Sequence, residues 1–398
     1  AVAVAVAIAH PSIAASVHLP NRAACTLAAA MPAHSSSLSP PSADAVDDQH
    51  MAAALDLAAQ AIGVSDPNPR VGCVIVDTQG QVIGRGHTQR AGGPHAEVMA
   101  LRDAQARGGT LAGATVYVTL EPCAHHGRTP PCCDALIAAG VGRVVAALRD
   151  PNPLVAGQGL ARIAAAGIAT SCGVQAEAAR ELNIGFFSRM LRGRPWVRVK
   201  AAASLDGRTA LDNGASQWIT GPQARADGHA WRRRAGAVLT GMGTLTGDDP
   251  RLDVRLVPTD LQPLRVLLDS GLNVAPGARL LQPPGRALIY TCCDDATRRS
   301  TIEQGGNDVA LLPAGRDGHV DLAAVLADLG RRGINELHVE AGAVLNGALH
   351  DASLVDEWLI YLAPCLLGSG RAIAGLRPLA RLDDATRMHY TGVAQVGD

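Results

Sequence analysis

Four residues in the first half of the chain have the types and the spacing of a catalytic zinc centre. His95 and Glu97 lie in a GPHAE segment, Cys123 ends an EPC segment, and Cys132 follows after eight intervening residues. One imidazole and two thiolates can hold a Zn²⁺ ion and leave its fourth position open for water. Glu97 stands two residues from the first ligand, where its carboxylate could move protons. We therefore predict hydrolytic zinc chemistry, with His95, Cys123 and Cys132 as metal ligands and Glu97 as a catalytic residue.

The elements that must position these residues alternate between strand and helix. Apolar runs and helical patterns predict strands at 71–76, 82–85, 115–120 and 143–148, and helices at 51–62, 95–106 and 132–139. This order implies crossover connections and a largely parallel sheet. His95 and Glu97 then lie in the first turn of a helix, Cys123 follows a strand, and Cys132 opens the next helix. All four belong to the carboxyl-end edge, where open α/β sheets place their sites.

The chain divides near the break Arg192–Pro195, beyond a long helix predicted to end at about Leu191. At 398 residues it is too long for one ordinary core. We predict a first domain at 51–195 and a second domain at 196–398. The second repeats the alternation, with strands predicted at 196–203, 236–241, 264–269, 286–291, 335–340 and 357–363, and helices at 222–234, 320–331 and 343–350.

Residues 1–50 are rich in Ala, Ser and Pro, with Arg22 as their one strong base. A secretory signal needs a positively charged start and a transit peptide needs several arginines, so neither is indicated. We expect this segment to be a disordered tail.

Composition favours a small-molecule partner. The chain has 35 basic and 36 acidic residues and only 3% aromatics, with no basic block to hold a nucleic acid or a membrane surface. Its nine cysteines are unevenly spaced and do not form a disulfide framework, which favours a reducing, cytosolic setting. The longest apolar runs have the length of strands, so no segment is expected to span a bilayer.

Three features of the second half are open to two interpretations. Gly342 with Gly347, and the run Gly241–Thr244, could present backbone amides to a phosphate, but such glycines are more often packing turns. There is no G-x-G-x-x-G segment, so an ordinary dinucleotide-binding unit is not indicated. Lys200 is the only lysine among the 35 basic residues, which indicates either a selected amine or chance.

The segments HAE and PC are typical of zinc nucleobase deaminases, in which zinc activates water and the glutamate shuttles protons. Those enzymes usually continue as C-x-x-C. Here the eight residues AHHGRTPP separate Cys123 from Cys132, and their His and Arg side chains are the donors expected of a phosphate contact. A general cytidine deaminase has no need of such a loop.

Longer motifs extend this likeness over about residues 51–396. They are VGCVIV, GGPHAEVMAL, TLEPCAHHGRTPPCCDALIAAGV, DPNPLVAGQGL, VKAAASLDGRTA, SQWITGPQAR, DDPRLDVR and VEAGAVLNGAL. The chain resembles the bifunctional deaminase/reductase family of riboflavin biosynthesis, RibD. The resemblance implies an α/β chain with an N-terminal cytidine-deaminase-like three-layer α/β/α domain, followed by a dihydrofolate-reductase-like α/β domain.

The same resemblance implies two reactions. The first domain would hydrolyse the 2-amino group of 2,5-diamino-6-(5-phosphoribosylamino)pyrimidin-4(3H)-one. The second would reduce the ribosyl side chain of 5-amino-6-(5-phosphoribosylamino)uracil to ribityl with NADPH. It implies one Zn²⁺ per chain, NADPH as the second cofactor, a cytoplasmic homo-oligomer, and no nucleic-acid or membrane partner.

Matching the family's positions assigns further site residues. The resemblance implies substrate contacts at Asn68, His87, His125, His126, Arg128, Ser216, Arg232, Leu252, Arg255 and Glu340. It implies NADPH contacts at Ala202, Trp218, Thr244, Asp248, Ser270, Gly342, Ala343, Val344, Leu345, Asn346, Gly347 and Ala348. Lys200 and Asp248 would donate a proton to the sugar or orient it. These residues also have interpretations without a functional role. The polar residues of the first domain can be ordinary surface-loop residues, 248–250 can be only a turn, and 232–234 can be a solvated helix face.

Two departures from the family pattern bear on whether the reductase half is active. Residues 1–50 have no counterpart, and the chain reaches Asp398 where the family runs on into a last strand. Loss of that strand would expose a sheet edge. The alternative function is therefore a chain with an active deaminase half and a disabled reductase half. An alternative from another class, a nucleic-acid-editing or RNA-binding module, is opposed by the phosphate-sized loop, the neutral charge and the scarce aromatics.

Overall fold

The computed structural model describes residues 3–9, 43–125, 130–153 and 156–397. These residues form two compact units. The first unit contains residues 43–61 and 70–182, and the second contains residues 3–9, 62–69 and 183–397. No helix in the described ranges is both long enough and apolar enough to cross a membrane.

The first unit is built on a sheet of strand order β3-β2-β4-β5-β6. Its elements are α1 (Ala43–Ala59), β2 (Gly72–Val76), β3 (Val82–His87), α2 (Ala96–Ala106), β4 (Thr115–Val118), α3 (Cys132–Ala138), β5 (Arg143–Ala146), α4 (Gln158–Ala165), β6 (Ala169–Cys172) and α5 (Ala176–Leu182). The prediction of a largely parallel sheet is wrong for half of it. β2 pairs antiparallel with both β3 and β4, while β4, β5 and β6 run parallel. The Asp77 carboxylate accepts from the amides of Gln79 and Gln81 and so fixes the β2–β3 hairpin turn.

Glycines hold two helices directly against this sheet. A Cβ on Gly86 of β3 would lie 2.4 Å from the Ala96 carbonyl oxygen at the start of α2. A Cβ on Gly72 of β2 would lie 1.8 Å from the Ala54 carbonyl oxygen of α1. Because no side chain separates them, the start of α2 has a fixed position above β3.

The first helix begins earlier than predicted, at Ala43. Its Asp47 is buried and accepts from both terminal nitrogens of Arg143, at 2.9 and 2.6 Å, and from the Tyr117 hydroxyl at 2.8 Å. These partners lie on β5 and β4, far away in sequence. The extra turns of α1 are therefore held by tertiary contacts that the helical pattern could not indicate.

The second unit contains a sheet of order β12-β11-β10-β9-β13-β7-β14-β1-β16. Its strands are β1 (Ala3–Ala9), β7 (Trp196–Ser204), β8 (Arg208–Ala210), β9 (Ala237–Gly241), β10 (Leu264–Leu268), β11 (Ala287–Thr291), β12 (Asp308–Leu311), β13 (Glu336–Val339), β14 (Glu357–Ala363), β15 (Arg371–Ala372) and β16 (His389–Val396). Its α-helices are α6 (Ile184–Arg192), α7 (Pro222–Arg234), α8 (Met242–Asp248), α9 (Ala296–Gln304), α10 (Leu322–Arg331) and α11 (Ala343–Asp351). From β12 to β14 every pair is parallel.

The strand β1 lies between β14 and β16 and is antiparallel to both. The prediction of a disordered tail over residues 1–50 is therefore wrong for residues 3–9 and 43–50. The alternating Ala and Val residues suit a strand, and Ala5, Val6 and Ala7 are buried. Residues 10–42 lie outside the described residues. β14 is also not an edge strand, because β1 pairs with it. The sheet edge that was expected to be exposed by a missing last strand is therefore not found at β14.

The single long helix predicted up to Leu191 is wrong: the structure has two helices, α5 and α6, that meet at Asn183. Asn183 has φ −112° and ψ 18°, outside helical values. Asparagine competes with the helix for backbone hydrogen bonds, which favours a break there. The two compact units also divide at this position, so α6 groups with the second unit.

Candidate metal centre and second site

His95, Cys123 and Cys132 converge in the first unit. The Nδ1 atom of His95 lies 3.6 Å from the Cys123 sulfur and 3.3 Å from the Cys132 sulfur. All three ligand atoms lie within 4.8 Å of one another. A nitrogen and two sulfurs in such a group match the donor set of a catalytic zinc with one position left for water. The residues therefore fit the metal that the sequence predicts.

Local structure places each of these side chains. His95 is the N-cap of α2 and has an extended backbone, φ −76° and ψ 168°, so its ring leaves the chain just before the helix starts. Cys132 is the first residue of α3, and its amide donates to the Cys123 sulfur at 3.4 Å. The next amide, that of Cys133, donates to the Cys123 carbonyl at 3.2 Å. The start of α3 thus holds Cys123 by both its side chain and its backbone.

Hydrogen bonding gives the two thiols different acidities. A hydrogen bond from Cys132, which outweighs burial, together with one to His95, lowers the pKa of Cys123 to about 4. The hydrogen bond to Cys123 and burial raise the pKa of Cys132 above its usual range. The His95 ring has a raised pKa because it bonds to Cys123. The pair thus shares one proton beside an imidazole, and Cys123 supplies the thiolate that metal binding requires.

Glu97 is buried, with 3% of its surface exposed, in the first turn of α2. Burial raises its pKa to about 7, with a further contribution from the Cys123 charge. Cys73 on β2 is fully buried, and burial together with the Glu97 charge raises the pKa of its thiol. The structure thus brings the predicted catalytic carboxyl to the ligand group in a water-poor setting.

The structure describes only some of the remaining substrate contacts that are predicted for the first domain. His87 ends β3 and is half-buried, and burial lowers its pKa. His125 is exposed, while His126 and Arg128 lie outside the described residues. Asn68 is half-buried in the turn 62–69, which groups with the second unit.

Sequence reasoning missed Asp150, a buried carboxyl in the segment that follows β5. Burial raises the pKa of Asp150 to about 6, while a hydrogen bond from the Asn152 amide opposes that rise. The DPNP run at 150–153 was the available signal. It indicates a turn and does not reveal that the acid is buried.

In the second unit, three of the predicted cofactor segments follow neighbouring strands at one edge of the sheet. β10, β9 and β13 are adjacent and parallel, so their carboxyl ends share that edge. Ser270 follows β10, Thr244 lies on α8 after β9, and 342–348 open α11 after β13. A Cβ on Gly342 would lie 3.8 Å from the Thr244 hydroxyl, so the two turns touch. Ala202 lies on β7, Trp218 is 67% exposed, and Asp248 is exposed at the end of α8.

These turns have the features of a phosphate site. Gly241 and Gly342 precede their helices in extended conformations, and the N–H groups of the following turns are available for an anion. Asn346 is buried and ties Ala341 to Ile373 through its amide nitrogen. Within the described chain its side-chain oxygen has no hydrogen-bond partner. The arrangement fits a phosphorylated cofactor such as NADPH.

A charged cluster lies near Lys200 on β7. Arg232 of α7 holds both carboxylate oxygens of Glu340 and also donates to the Asp253 carbonyl at 2.8 Å. Burial lowers the pKa of Lys200, and the Glu340 charge counteracts this. Although burial alone would raise it, Arg232 holds the pKa of Glu340 well below its usual range.

Arg232 is a predicted substrate contact, but its guanidinium already donates two hydrogen bonds to the Glu340 carboxylate. Arg255 remains exposed and contacts the Asp253 carboxylate. The side chain of Leu252 is buried in an apolar cluster, so its backbone is what remains for a substrate. Ser216 is half-buried in the loop before α7.

His338, fully buried with its Nε2 atom 3.5 Å from Glu340, was also missed. It lies on β13, and the predicted Glu340 directly follows that strand, so the spacing of two residues was the available signal.

Known proteins match both units. Residues 44–148 match the family model described as the cytidine and deoxycytidylate deaminase zinc-binding region, and residues 195–398 match the RibD C-terminal domain. The riboflavin biosynthesis protein RibD of Escherichia coli K12 is 47% identical over 364 residues, which are 88% of this chain and 97% of that protein. That of Haemophilus influenzae is 43% identical over 361 residues, 87% of this chain and 94% of that protein.

Solved structures match the same span. RibD of Acinetobacter baumannii superposes with a TM-score of 0.78 at 40% identity and covers 86% of this chain and 93% of its own. A Thermotoga maritima protein described as a diaminohydroxyphosphoribosylaminopyrimidine deaminase/5-amino-6-(5-phosphoribosylamino)uracil reductase gives a TM-score of 0.78 at 33% identity, with the same coverage of 86% and 93%.

Proposed function

The chain belongs to the RibD family, so it is a zinc-dependent deaminase and NADPH-dependent reductase of riboflavin biosynthesis, and we propose which of its residues carry each step. Its substrates are those in the name of the Thermotoga maritima relative: the diaminopyrimidine phosphoribosyl compound for the first unit and the aminouracil product for the second. A disabled reductase half is not favoured, because the reductase match covers residues 195–398.

One observation carries the deaminase assignment: His95, Cys123 and Cys132 converge beside the buried Glu97. Bound zinc would lower the pKa of a water molecule so that it becomes a nucleophile at neutral pH. Glu97 would accept a proton from the attacking water and return it to the departing amine, because a carboxyl group with a pKa near neutrality can both accept and donate. In this proposal His125, His126 and Arg128 bind the ribosyl phosphate. His87 completes the contacts that the first unit makes to the substrate.

The reductase assignment rests on the second unit's sheet edge. The turns at 241–244 and 342–348, with Ser270, hold the phosphates of NADPH, while Ala202 and Trp218 flank its other groups. Ser216, the Leu252 backbone, Arg255, and the Arg232–Glu340 pair face the sugar phosphate. Arg232 acts through the orientation of Glu340, since that carboxylate already occupies its guanidinium.

Lys200 is the proton donor to the sugar in this proposal. It lies beside Glu340, and burial lowers the pKa of its ammonium, so the proton is released more readily than from an exposed lysine. Asp248 orients the sugar or the cofactor from the end of α8. Lys200→Arg keeps the charge but not the acidity, so a reductase rate unchanged by that substitution would remove Lys200 from the mechanism.

We also propose a cytoplasmic homo-oligomer. The cysteines in the described part of the chain are free of disulfides, as thiol ligands in a reducing compartment would be. Sedimentation of the purified chain would give the subunit number.

The assignment is tested by incubating the purified zinc-loaded protein with the diaminopyrimidine phosphate, with and without NADPH. Ammonia should appear in both reactions, and NADPH should be oxidised only after deamination has supplied the uracil. Supplying that uracil directly should give NADPH oxidation without ammonia. Absence of both ammonia release and NADPH oxidation would contradict the whole proposal.

A further inference from the structure

Glu121 is a buried carboxylate that the proposed chemistry does not use. It has 3% of its surface exposed and lies just after β4, two residues before the ligand Cys123. One carboxylate oxygen accepts from the amides of Asp150 and Gly157 at 3.1 and 2.9 Å. The other accepts from the amides of Gly159 and Leu160 at 3.0 and 3.2 Å. Four backbone donors therefore converge on one side chain.

The donors belong to two pieces of chain beside the metal group. Asp150 follows β5, and Gly159 and Leu160 lie in the first turn of α4, where unpaired amides and the helix dipole favour an anion. The Glu121 amide also donates to the Leu148 carbonyl at 2.8 Å. Glu121 thus joins the end of β4, the end of β5 and the start of α4 at a single point.

The backbone at Gly159 shows how closely α4 approaches the ligand segment. A Cβ at Gly159 would lie 1.8 Å from the Pro122 carbonyl oxygen, and 3.4 Å from the Cγ of Glu121. α4 is further tied to α3, which begins with Cys132, because Arg162 pairs with Asp134 at 2.7 Å. The start of α4 therefore contacts both the Glu121 carboxylate and the Pro122 carbonyl, which precedes the ligand Cys123.

We propose that Glu121 is a positioning residue of the zinc centre. Its carboxylate fixes the backbone of Pro122 and Cys123, so that the Cys123 sulfur stands at the correct distance from His95 and Cys132. It also fixes the segment that carries Asp150. The inference rests on the proposed zinc site but adds to it: Glu121 touches neither metal nor substrate and acts through Cys123.

Glu121→Gln tests this proposal in the full chain. The glutamine side chain has the shape of glutamate but no negative charge. Its NH₂ group would face backbone N–H groups that need an acceptor. Mutation of a residue that orients a metal ligand typically changes the affinity for the metal by about 10–100-fold. We expect zinc loss to a chelator to become faster by a factor in that range. With Co²⁺ in place of zinc, we expect the thiolate-to-metal absorption to shift, because the Cys123 sulfur is displaced.

Two controls separate positioning from general stability. The reductase rate on supplied uracil substrate should stay within about twofold of wild type, since that site lies in the other unit. Asp47→Asn removes another buried carboxylate of the first unit, away from the ligands, and should lower stability without changing the Co²⁺ spectrum. A wild-type chain that binds neither ion would contradict the zinc site itself, which is a separate failure.

Gly159→Ala provides a second route that leaves the carboxylate intact. The new methyl group must push the Pro122 carbonyl away, so it should change the Co²⁺ spectrum in the same direction. If Glu121→Gln does not fold, the Co²⁺ spectrum and the rate of zinc loss of Gly159→Ala test the proposal on their own. A wild-type Co²⁺ spectrum and a wild-type rate of zinc loss in a folded Glu121→Gln chain, or in Gly159→Ala, would overturn the proposal even if deamination were slower.

Discussion

At the scale of single residues, burial and one neighbouring group decide what each acid can do. Glu97 and Glu340 are both glutamates in sites, yet their pKa values shift in opposite directions. Burial raises the pKa of Glu97 to about 7. Glu340 faces Arg232, which overcomes burial and keeps it ionised. The first can therefore exchange protons near neutral pH, and the second acts as a fixed charge.

Glu97→Gln should leave zinc bound and stop ammonia release. General acid–base catalysis is worth about 10²–10⁴-fold, so we expect deamination to fall by at least that factor. The measurement is ammonia release together with the metal content of the same sample. The reductase rate on supplied uracil is the control. Undiminished ammonia release would remove Glu97 from the mechanism.

Glu340→Gln should destabilise the second unit and stop the reductase. It leaves the largely buried Arg232 without its bidentate partner, and breaking one side of a buried pair costs about 3–5 kcal/mol. Because both members of this pair keep a little exposure, we expect the lower end, about 3 kcal/mol, in urea unfolding of the second unit. The matched substitution Glu303→Gln on the exposed face of α9 should change nothing. Equal stabilities of the two variants would show that the pair contributes no stability.

Asp47→Asn should change how stability depends on pH. Burial would raise the Asp47 pKa, but hydrogen bonds from Arg143 and Tyr117 prevail and lower it. Its contribution is therefore complete above the unfolded carboxyl value of about 3.9 and is lost as the pH falls through the lower folded value. The stability difference between wild type and Asp47→Asn should shrink below about pH 4. Asp48→Asn, at an exposed neighbouring position, is the control and should cost little stability.

At the scale of elements, the sequence was most informative where one strand or helix sufficed. Helix α7 and strand β14 begin and end as predicted, at 222–234 and 357–363, because Pro222 fixes a helix start and continuous apolar residues mark a buried strand. The zinc ligands were found because each lies at the end of such an element. Glu121 was not, since its four donors lie 29–39 residues further along the chain.

The same limit explains the elements that were wrong. β1 pairs with strands that begin only at Glu357 and His389, so its alternating Ala and Val could not be distinguished from a low-complexity tail. The helix break at Asn183 depends on a single residue whose effect on a helical pattern is weak. Pairing across such distances is a tertiary property that local periodicity does not contain.

Val6→Asp should disrupt β1 and with it the second unit's sheet. Val6 is 7% exposed and pairs with Ile360 of β14 and Val393 of β16. An unpaired buried charge costs several kcal/mol, so the reductase unit should unfold at lower urea while deamination persists. Val393→Asp is the matched control, because Val393 is paired opposite Val6 but 63% exposed. Equal effects of the two substitutions would show that β1 contributes little to the sheet.

At the scale of the whole molecule, two chemistries share one chain but use separate compact units. The metal ligands all lie within residues 70–182 and the NADPH turns within 183–397. Each unit has its own sheet and its own buried residues.

Removal of zinc should therefore separate the activities. A strong chelator should abolish ammonia release and leave NADPH oxidation on supplied uracil within about twofold, because His95, Cys123 and Cys132 all belong to the first unit. Re-addition of Zn²⁺ should restore deamination. Parallel loss of both rates, with restoration of both by zinc, would show that the reductase unit depends on the metal for its fold.

The position of β1 also sets an order of assembly during translation. A ribosome makes residues 3–9 before every other described element, whereas β14 and β16, between which they lie, are made after nearly all of them. Residues 43–61 and 70–182 can close into the first unit while the reductase half is still being synthesised. Throughout that time residues 3–9 lack both of their partner strands, and unpaired strands of a nascent chain are prone to aggregation. The reductase sheet closes only when the start of the chain returns to its end, so the deaminase is the half that matures first.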